Sequence, residues 1–132
     1  MATEKILQQI TEPASGNLST YQFCCVNLAS DGQVQLATSG AQVVGVLQNK
    51  PAAENRASKV AVYGVTKVEA QAASGEEILV GSALICSSIG KAIAASTGGT
   101  AYVWGRALEA NASGATNVIS ALITHEGPAS SA

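Results

Sequence analysis

The side chains able to do acid, base or nucleophilic chemistry are few, and their placement argues against an enzyme. Asp31 is the only aspartate and His125 the only histidine of the 132 residues. A Ser-His-Asp or Cys-His arrangement needs a histidine on a rigid element and a partner that orients it. Asp31 lies in a predicted hairpin turn and His125 opens a predicted C-terminal tail. The sequence therefore predicts no catalytic residues and a protein that is not an enzyme.

The three cysteines predict free thiols and no metal site. Cys24, Cys25 and Cys86 lack the C-x-x-C spacing of a zinc site, and an odd number does not define a disulfide framework. Because adjacent strand residues point to opposite faces, Cys24 and Cys25 cannot both face Cys86. We expect buried or half-buried thiols that act as small hydrophobic side chains.

A partial match to a phosphate-binding loop predicts no cofactor. The Gly90-Lys91 pair resembles the end of that loop, but the motif requires glycine where Ile85 stands and serine or threonine where Ala92 stands. Because the chain lacks the required residue at both of these positions, we expect no nucleotide at this turn and no cofactor in the chain.

The charge content predicts surface that is covered by partners. Charged residues form 12% of the chain, against about 25% in an average domain. Between residues 13 and 49 the only charged side chain is Asp31. So little charge protects a monomer poorly against association, which indicates burial in an oligomer or a lattice. The net charge of -2 disfavours nucleic-acid binding. Lacking an apolar run of about 18 residues or a signal peptide, the chain is expected in the cytoplasm of its host, without membrane contact.

Strand patterns dominate the chain. The apolar residues 43–47 predict one strand, and the valines from Ser58 onward predict a second strand bent at Gly64. Between them, residues 49–55 predict an exposed loop that contains Lys50 and Pro51, since proline breaks strands.

Two hairpins flank these central strands. Asp31-Gly32 predicts a hairpin turn between strands at residues 20–28 and 33–38, and with the strand at 43–47 these three would form a meander. A second hairpin is predicted at residues 82–95, and strands at 100–110 and 115–124 close the domain.

The N-terminus predicts an arm. Ile6, Leu7 and Ile10 are spaced as the apolar stripe of a helix over residues 2–11. A helix shorter than about 12 residues is marginal alone, so the arm needs a surface to lie on. The surface of its own domain and that of a neighbouring subunit both remain open. We expect an arm at residues 1–18, a β-rich domain at 19–125 and a flexible tail at 126–132.

The aromatic residues leave a second interpretation open. They are Trp104, Tyr102, Tyr63, Tyr21 and Phe23. With few basic residues nearby, they favour packing in the core or at an interface over stacking on bases. The alternative is a non-catalytic β-rich module that binds a glycan or a host surface.

The order and spacing of several segments resemble a known family. These segments are VVGVLQNKPAAENRASKVAVYGVTKVEA from Val43, Gly75-Glu76-Glu77-Ile78, Gly90-Lys91, and VWGRALEANASGATNVISALI from Val103. Over residues 20–124 the chain resembles the small head-decoration, or capsid cement, proteins of tailed phages.

The resemblance implies a mainly β fold, with a single compact domain that is β-barrel-like or β-sandwich-like (tulip-like). It also implies a homotrimer on the outer capsid surface of a virion that bridges neighbouring subunits of the major capsid protein. For contacts with the capsid or between subunits, the candidates are Ile6, Leu7, Ile10, Lys50, Pro51 and Trp104.

Overall fold

The described chain is all-β, which confirms the mainly β, compact fold. The computed structural model describes residues 2–71, 77–95, 100–112 and 114–128. Its strands are β1 (Lys5–Pro13), β2 (Cys25–Leu28), β3 (Val34–Leu36), β4 (Gly45–Leu47), β5 (Ala57–Gln71), β6 (Ala83–Cys86), β7 (Ala92–Ala94), β8 (Tyr102–Ala107) and β9 (Thr116–Pro128). No helix in these ranges is long and apolar enough to cross a membrane.

Strand β5 connects a closed ring of strands to an open extension of the sheet. The order is β3-β2-β4-β5-β7-β6-β8-β9, and β9 returns to pair with β5 from Gly64 to Gln71. Strands β5, β7, β6, β8 and β9 therefore form a ring. The first half of β5 pairs with β4 on one side and with β1 on the other, which makes the extension.

Two clusters of buried side chains lie on opposite faces of the first half of β5. Ala61 belongs to the main cluster, around Trp104, whereas Val60 and Val62 belong to a second, smaller cluster. Beyond Gly64 it is the even-numbered Val68 that faces the main cluster. Alternate strand residues face opposite sides, so the strand changes its face between the two halves.

The change of face in β5 falls at the predicted bend. Gly64 has a φ of +104°, a conformation that side-chain-bearing residues rarely adopt. Opposite this glycine, the pairing of β1 skips Leu7, because Ile6 aligns with Gly64 and Gln8 aligns with Tyr63. The result is a β-bulge that leaves Leu7 unpaired.

The predicted N-terminal helix is wrong, because residues 5–13 form strand β1. The bulge at Leu7 turns Ile6 toward the main cluster and Ile10 toward the second cluster, so these side chains form no single stripe. A short helix would have to be stabilised by one apolar face, whereas the edge of β5 offers a row of unpaired backbone groups. Of the two surfaces left open by the sequence, the arm lies on its own domain.

The hairpins are confirmed but the meander is not. Strands β2 and β3 pair around Asp31, whose Oδ1 accepts a 3.0 Å hydrogen bond from the Gln33 amide, and β6 pairs with β7. Strand β4 pairs with β2 instead of following β3, so the order is β3-β2-β4. The eight residues between β3 and β4 allow the chain to cross to the other edge of β2.

The first residues of the predicted C-terminal tail, 126–128, belong to a strand. Strand β9 continues to Pro128, where Gly127 pairs with Val103 and Pro128 with Tyr102 of β8. Residues 126–128 are thus part of the sheet, and residues 129–132 lie outside the described residues.

Candidate partner-binding surfaces

His125 is held in strand β9, and both of its ring nitrogens have partners. Its Nε2 lies 2.8 Å from the carbonyl oxygen of Val62. Since a carbonyl only accepts, Nε2 carries the proton, and in the neutral ring Nδ1 accepts from the Tyr102 hydroxyl at 3.2 Å. The prediction that placed His125 in a tail is corrected. Within the described ranges no group of three or more His, Cys, Asp or Glu side chains is placed to hold a metal ion.

All three cysteines are free and buried, as predicted. Cys24 and Cys25 point to different surroundings. The Cys24 thiol donates to Glu69 Oε2 at 3.6 Å, while Cys25 lies in the main cluster with Cys86. Burial, with the negative charge of Glu69, raises the pKa of Cys24 to about 12. Burial also raises the pKa of Cys25.

We expect Cys24 and Cys25 to react slowly with iodoacetamide in the folded protein at pH 8. The raised pKa keeps each thiol protonated at pH 8, so little of the reactive thiolate is present, and both side chains are buried away from the reagent. Site-resolved mass spectrometry of alkylated peptides measures this effect, with protein unfolded in urea as the control. Alkylation of the folded protein at the rate of the unfolded chain would contradict the expected protection.

The three apolar candidates of the N-terminal strand have different environments. Ile6 and Ile10 are half-buried against the two clusters, and they hold β1 on the domain. Leu7, the unpaired residue of the bulge, is 74% exposed. Only Leu7 of these three therefore presents most of its side chain to a partner.

The two candidate contact residues of the loop, Lys50 and Pro51, differ in their burial. Lys50 is exposed, whereas Pro51 is buried and its carbonyl accepts a 2.8 Å hydrogen bond from the Leu18 amide. The Asn49 side chain bridges the loop by donating to the Ala57 carbonyl and accepting from the Lys59 amide, each at 2.9 Å. The loop is therefore fixed on the domain, and Lys50 is the member of the pair that a partner can reach.

Trp104, another of the candidate contact residues, is fully buried within the described domain. It lies in the main cluster at 0% exposure, and its Nε1 has no hydrogen-bond partner among the described residues. It therefore acts in packing. Its ring is not accessible for stacking on a glycan, as the glycan-binding interpretation would require.

A concave surface that the sequence did not reveal lies beside Tyr63. We call it the tyrosine cleft. Its volume is about 420 Å³, and it is lined by Ile10, Gln42, Val43, Val44, Val62, Tyr63, Tyr102 and His125. Tyr63 is 53% exposed and meets the His125 ring edge-on, with 5.3 Å between ring centres and an angle of 76°.

A second, smaller concavity adjoins the tyrosine cleft. This Asn27 depression has a volume of about 230 Å³ and is lined by Asn27, Leu28, Gln42 and Val44. Gln42 and Val44 belong to both surfaces. The only signal for these surfaces in the sequence is the charge-poor segment between residues 13 and 49, since pairing between distant strands brings the other residues to it.

The family of the chain follows from comparison with known proteins. The family model of the phage cement proteins matches residues 7–122, which is most of the chain. The chain belongs to this family. It is accordingly a structural protein of the phage head, from a family that is not one of enzymes. No curated protein sequence matches the chain.

A solved structure has a similar fold. It is the crystal structure of the N base of head fiber gp8.5 in bacteriophage phi29. The TM-score is 0.61 at 20% sequence identity, over 89% of this cement-family chain and 94% of the other chain. At this identity the similarity supports the fold alone.

Proposed function

We propose that the protein decorates the outer surface of a mature phage head and stabilises it by bridging subunits of the major capsid protein. The observation that carries this proposal is the match to the cement family over residues 7–122. The low charge content is a second support, because surface with few charges is easier to bury against a partner.

Such a protein stabilises the head by mass action. A ligand that binds the assembled shell but not its separated subunits shifts the equilibrium toward assembly, by about 2.7 kcal/mol per site at a hundredfold excess over Kd. If the protein is a homotrimer, as we propose, three weak contacts act as one multivalent attachment. Bridging adds to this effect because each bound copy then links more than one subunit.

The test is direct binding to expanded shells that lack the protein. We expect purified protein to sediment with these shells and to raise the temperature at which they release their DNA. Shells before expansion serve as the control for the mature surface. Failure to sediment with mature shells would refute the proposal. Light scattering coupled to size-exclusion chromatography gives the oligomeric state separately.

We expect Leu7→Asp to weaken binding to the shell about tenfold, because a buried Leu contributes about 1.5–3 kcal/mol and an unpaired charge adds a penalty. The matched control is Leu79→Asp, since Leu79 is 54% exposed and lies in the segment before β6, outside β1 and its partner β5. The measurement is a sedimentation titration of each variant. Equal affinities for the two variants would remove Leu7 from the contact.

The structure makes this substitution preferable to deletion of the arm. Residues 5–13 pair with β5 along its first half, so their removal would leave the backbone groups of that edge unpaired and uncover Val60. Loss of binding would then report damage to the domain. Leu7→Asp changes a side chain that points to solvent.

A further inference from the structure

We propose that the tyrosine cleft and the Asn27 depression together dock an uncharged, extended segment of a capsid subunit, with an aliphatic or aromatic side chain in the tyrosine cleft. This inference rests on the proposed function and names the surface and the chemistry of the partner. Four properties of the two concavities support it.

The first property is the absence of charge in the described lining. Among the residues that the structure describes, no Lys, Arg, Asp or Glu lines either concavity. A partner that placed an ionised side chain here would lose its hydration without gaining an opposite charge. Charge complementarity therefore selects an uncharged segment.

The second property is that two of the three side chains that form the aromatic wall of the cleft (Tyr63, Tyr102 and His125) already have hydrogen-bond partners, namely Tyr102 and His125. The Tyr102 hydroxyl is 3.2 Å from His125 Nδ1, and His125 Nε2 is 2.8 Å from the Val62 carbonyl. A saccharide needs many free donors and acceptors, and these groups offer few. An apolar side chain gains from the rings of Tyr63 and Tyr102 without breaking this chain of hydrogen bonds.

The third property is size. The tyrosine cleft, which is open to solvent, has a volume of about 420 Å³. An apolar cavity of about 150 Å³ in another protein holds a benzene ring, so this cleft has room for a large aromatic or aliphatic side chain. The adjoining 230 Å³ of the Asn27 depression gives room for a neighbouring side chain of the same segment.

The fourth property is that the chain between the two concavities is held in place. Asn27 Nδ2 donates to the Gln42 carbonyl at 3.2 Å, and the Val44 amide donates to the Val26 carbonyl at 2.9 Å. A preformed site loses less conformational entropy when it binds. Tyr63, which is 53% exposed, is one of the residue types enriched among interface anchors, together with Trp and Arg.

The deciding experiment places a charge of either sign at Gln42, which is exposed and borders both concavities. We expect Gln42→Glu and Gln42→Lys each to weaken shell binding about tenfold, because either charge is buried unpaired against an uncharged segment. Thr116→Glu and Thr116→Lys are the matched controls. Thr116 is exposed and pairs with Gln71, at the far end of β5 from Tyr63.

A variant without added charge tests the cleft independently. We expect Tyr63→Ala to weaken binding about tenfold or more, as for an interface anchor. Thermal unfolding of each variant checks that the fold is retained. The inference is supported when both Gln42 charges and Tyr63→Ala weaken binding while the Thr116 variants bind as the unmodified protein does.

Three results would overturn it. Tighter binding with one sign of charge at Gln42 would mean a charged partner. Unchanged binding of the Gln42 and Tyr63 variants would mean that the protein docks through another face, with its proposed function intact. Saturable NMR shifts of Gln42 and Tyr63 with neutral hexose or N-acetylhexosamine oligosaccharides, together with unchanged shell binding, would make the cleft a saccharide site. Failure of the unmodified protein to bind shells would refute the proposed function itself.

Discussion

Replacing Trp104 by alanine should lower the free energy of unfolding by about 3–5 kcal/mol, the range found for large aromatic side chains removed from a core. Trp104 has no exposed surface and is the largest fully buried side chain, in the main cluster. Its removal takes away the burial of a large ring and leaves a cavity that the strands of the closed ring cannot easily collapse to fill. Urea denaturation followed by circular dichroism measures the loss.

Two further variants identify the cause of the Trp104 effect. Leu79→Ala, at a 54% exposed position, should change stability by less than about 0.5 kcal/mol. Trp104→Phe should cost less than alanine, because the ring is largely kept and the lost Nε1 has no hydrogen-bond partner among the described residues. If Trp104→Ala kept full stability and lost only shell binding, Trp104 would be a contact residue after all.

Replacing Gly64 by alanine should cost about 3 kcal/mol or more, beyond the 1–3 kcal/mol typical of a side chain at positive φ. The φ of Gly64 is +104°. An added Cβ would also meet the Lys5 carbonyl oxygen and would lie 2.6 Å from the Leu7 amide nitrogen. Both obstacles are backbone atoms of β1, so a rotamer change cannot relieve them.

Gly32→Ala is the matched control for the Gly64 substitution. Gly32 has a similar φ of +87°, but an added Cβ would meet nothing within 4 Å. The difference in stability between the two variants therefore measures the clash with β1. Hydrogen exchange of the Ile6 and Leu7 amides should increase in Gly64→Ala only. Equal losses for both glycines, with unchanged exchange in β1, would show that the bulge adjusts without cost.

The predictable part of the fold is the part with local signals. Alternating valines and the glycine at position 64 predicted a bent strand, and Asp31-Gly32 predicted a hairpin. The prediction of a helix over residues 2–11 was wrong because a spacing of four residues between apolar side chains, as between Ile6 and Ile10, is compatible with a strand as well as with a helix. The bulge that turns these two residues to opposite faces depends on β5, a partner that lies more than 50 residues away.

The candidate site was less predictable for a related reason. Tyr63, Tyr102 and His125 lie on three different strands, and they meet because β9 pairs with both β5 and β8. Such pairings between distant segments have no signature in a short window of sequence. Composition did indicate a surface, since the charge-poor stretch contains Asn27, Gln42 and Val44, but it could not place the aromatic wall opposite them.

Because β5 changes its face along its length, the extension and the ring share this strand and form one cooperative unit. A single continuous strand supplies Val60 to the second cluster and Val68 to the main cluster. Unfolding of β5 would therefore remove a packed side chain from both clusters at once. Independent melting of the extension and the ring, as separate subdomains would show, is thereby disfavoured. If the protein bridges neighbouring subunits of a shell, as we propose, a load applied at the extension would then be resisted by the whole domain.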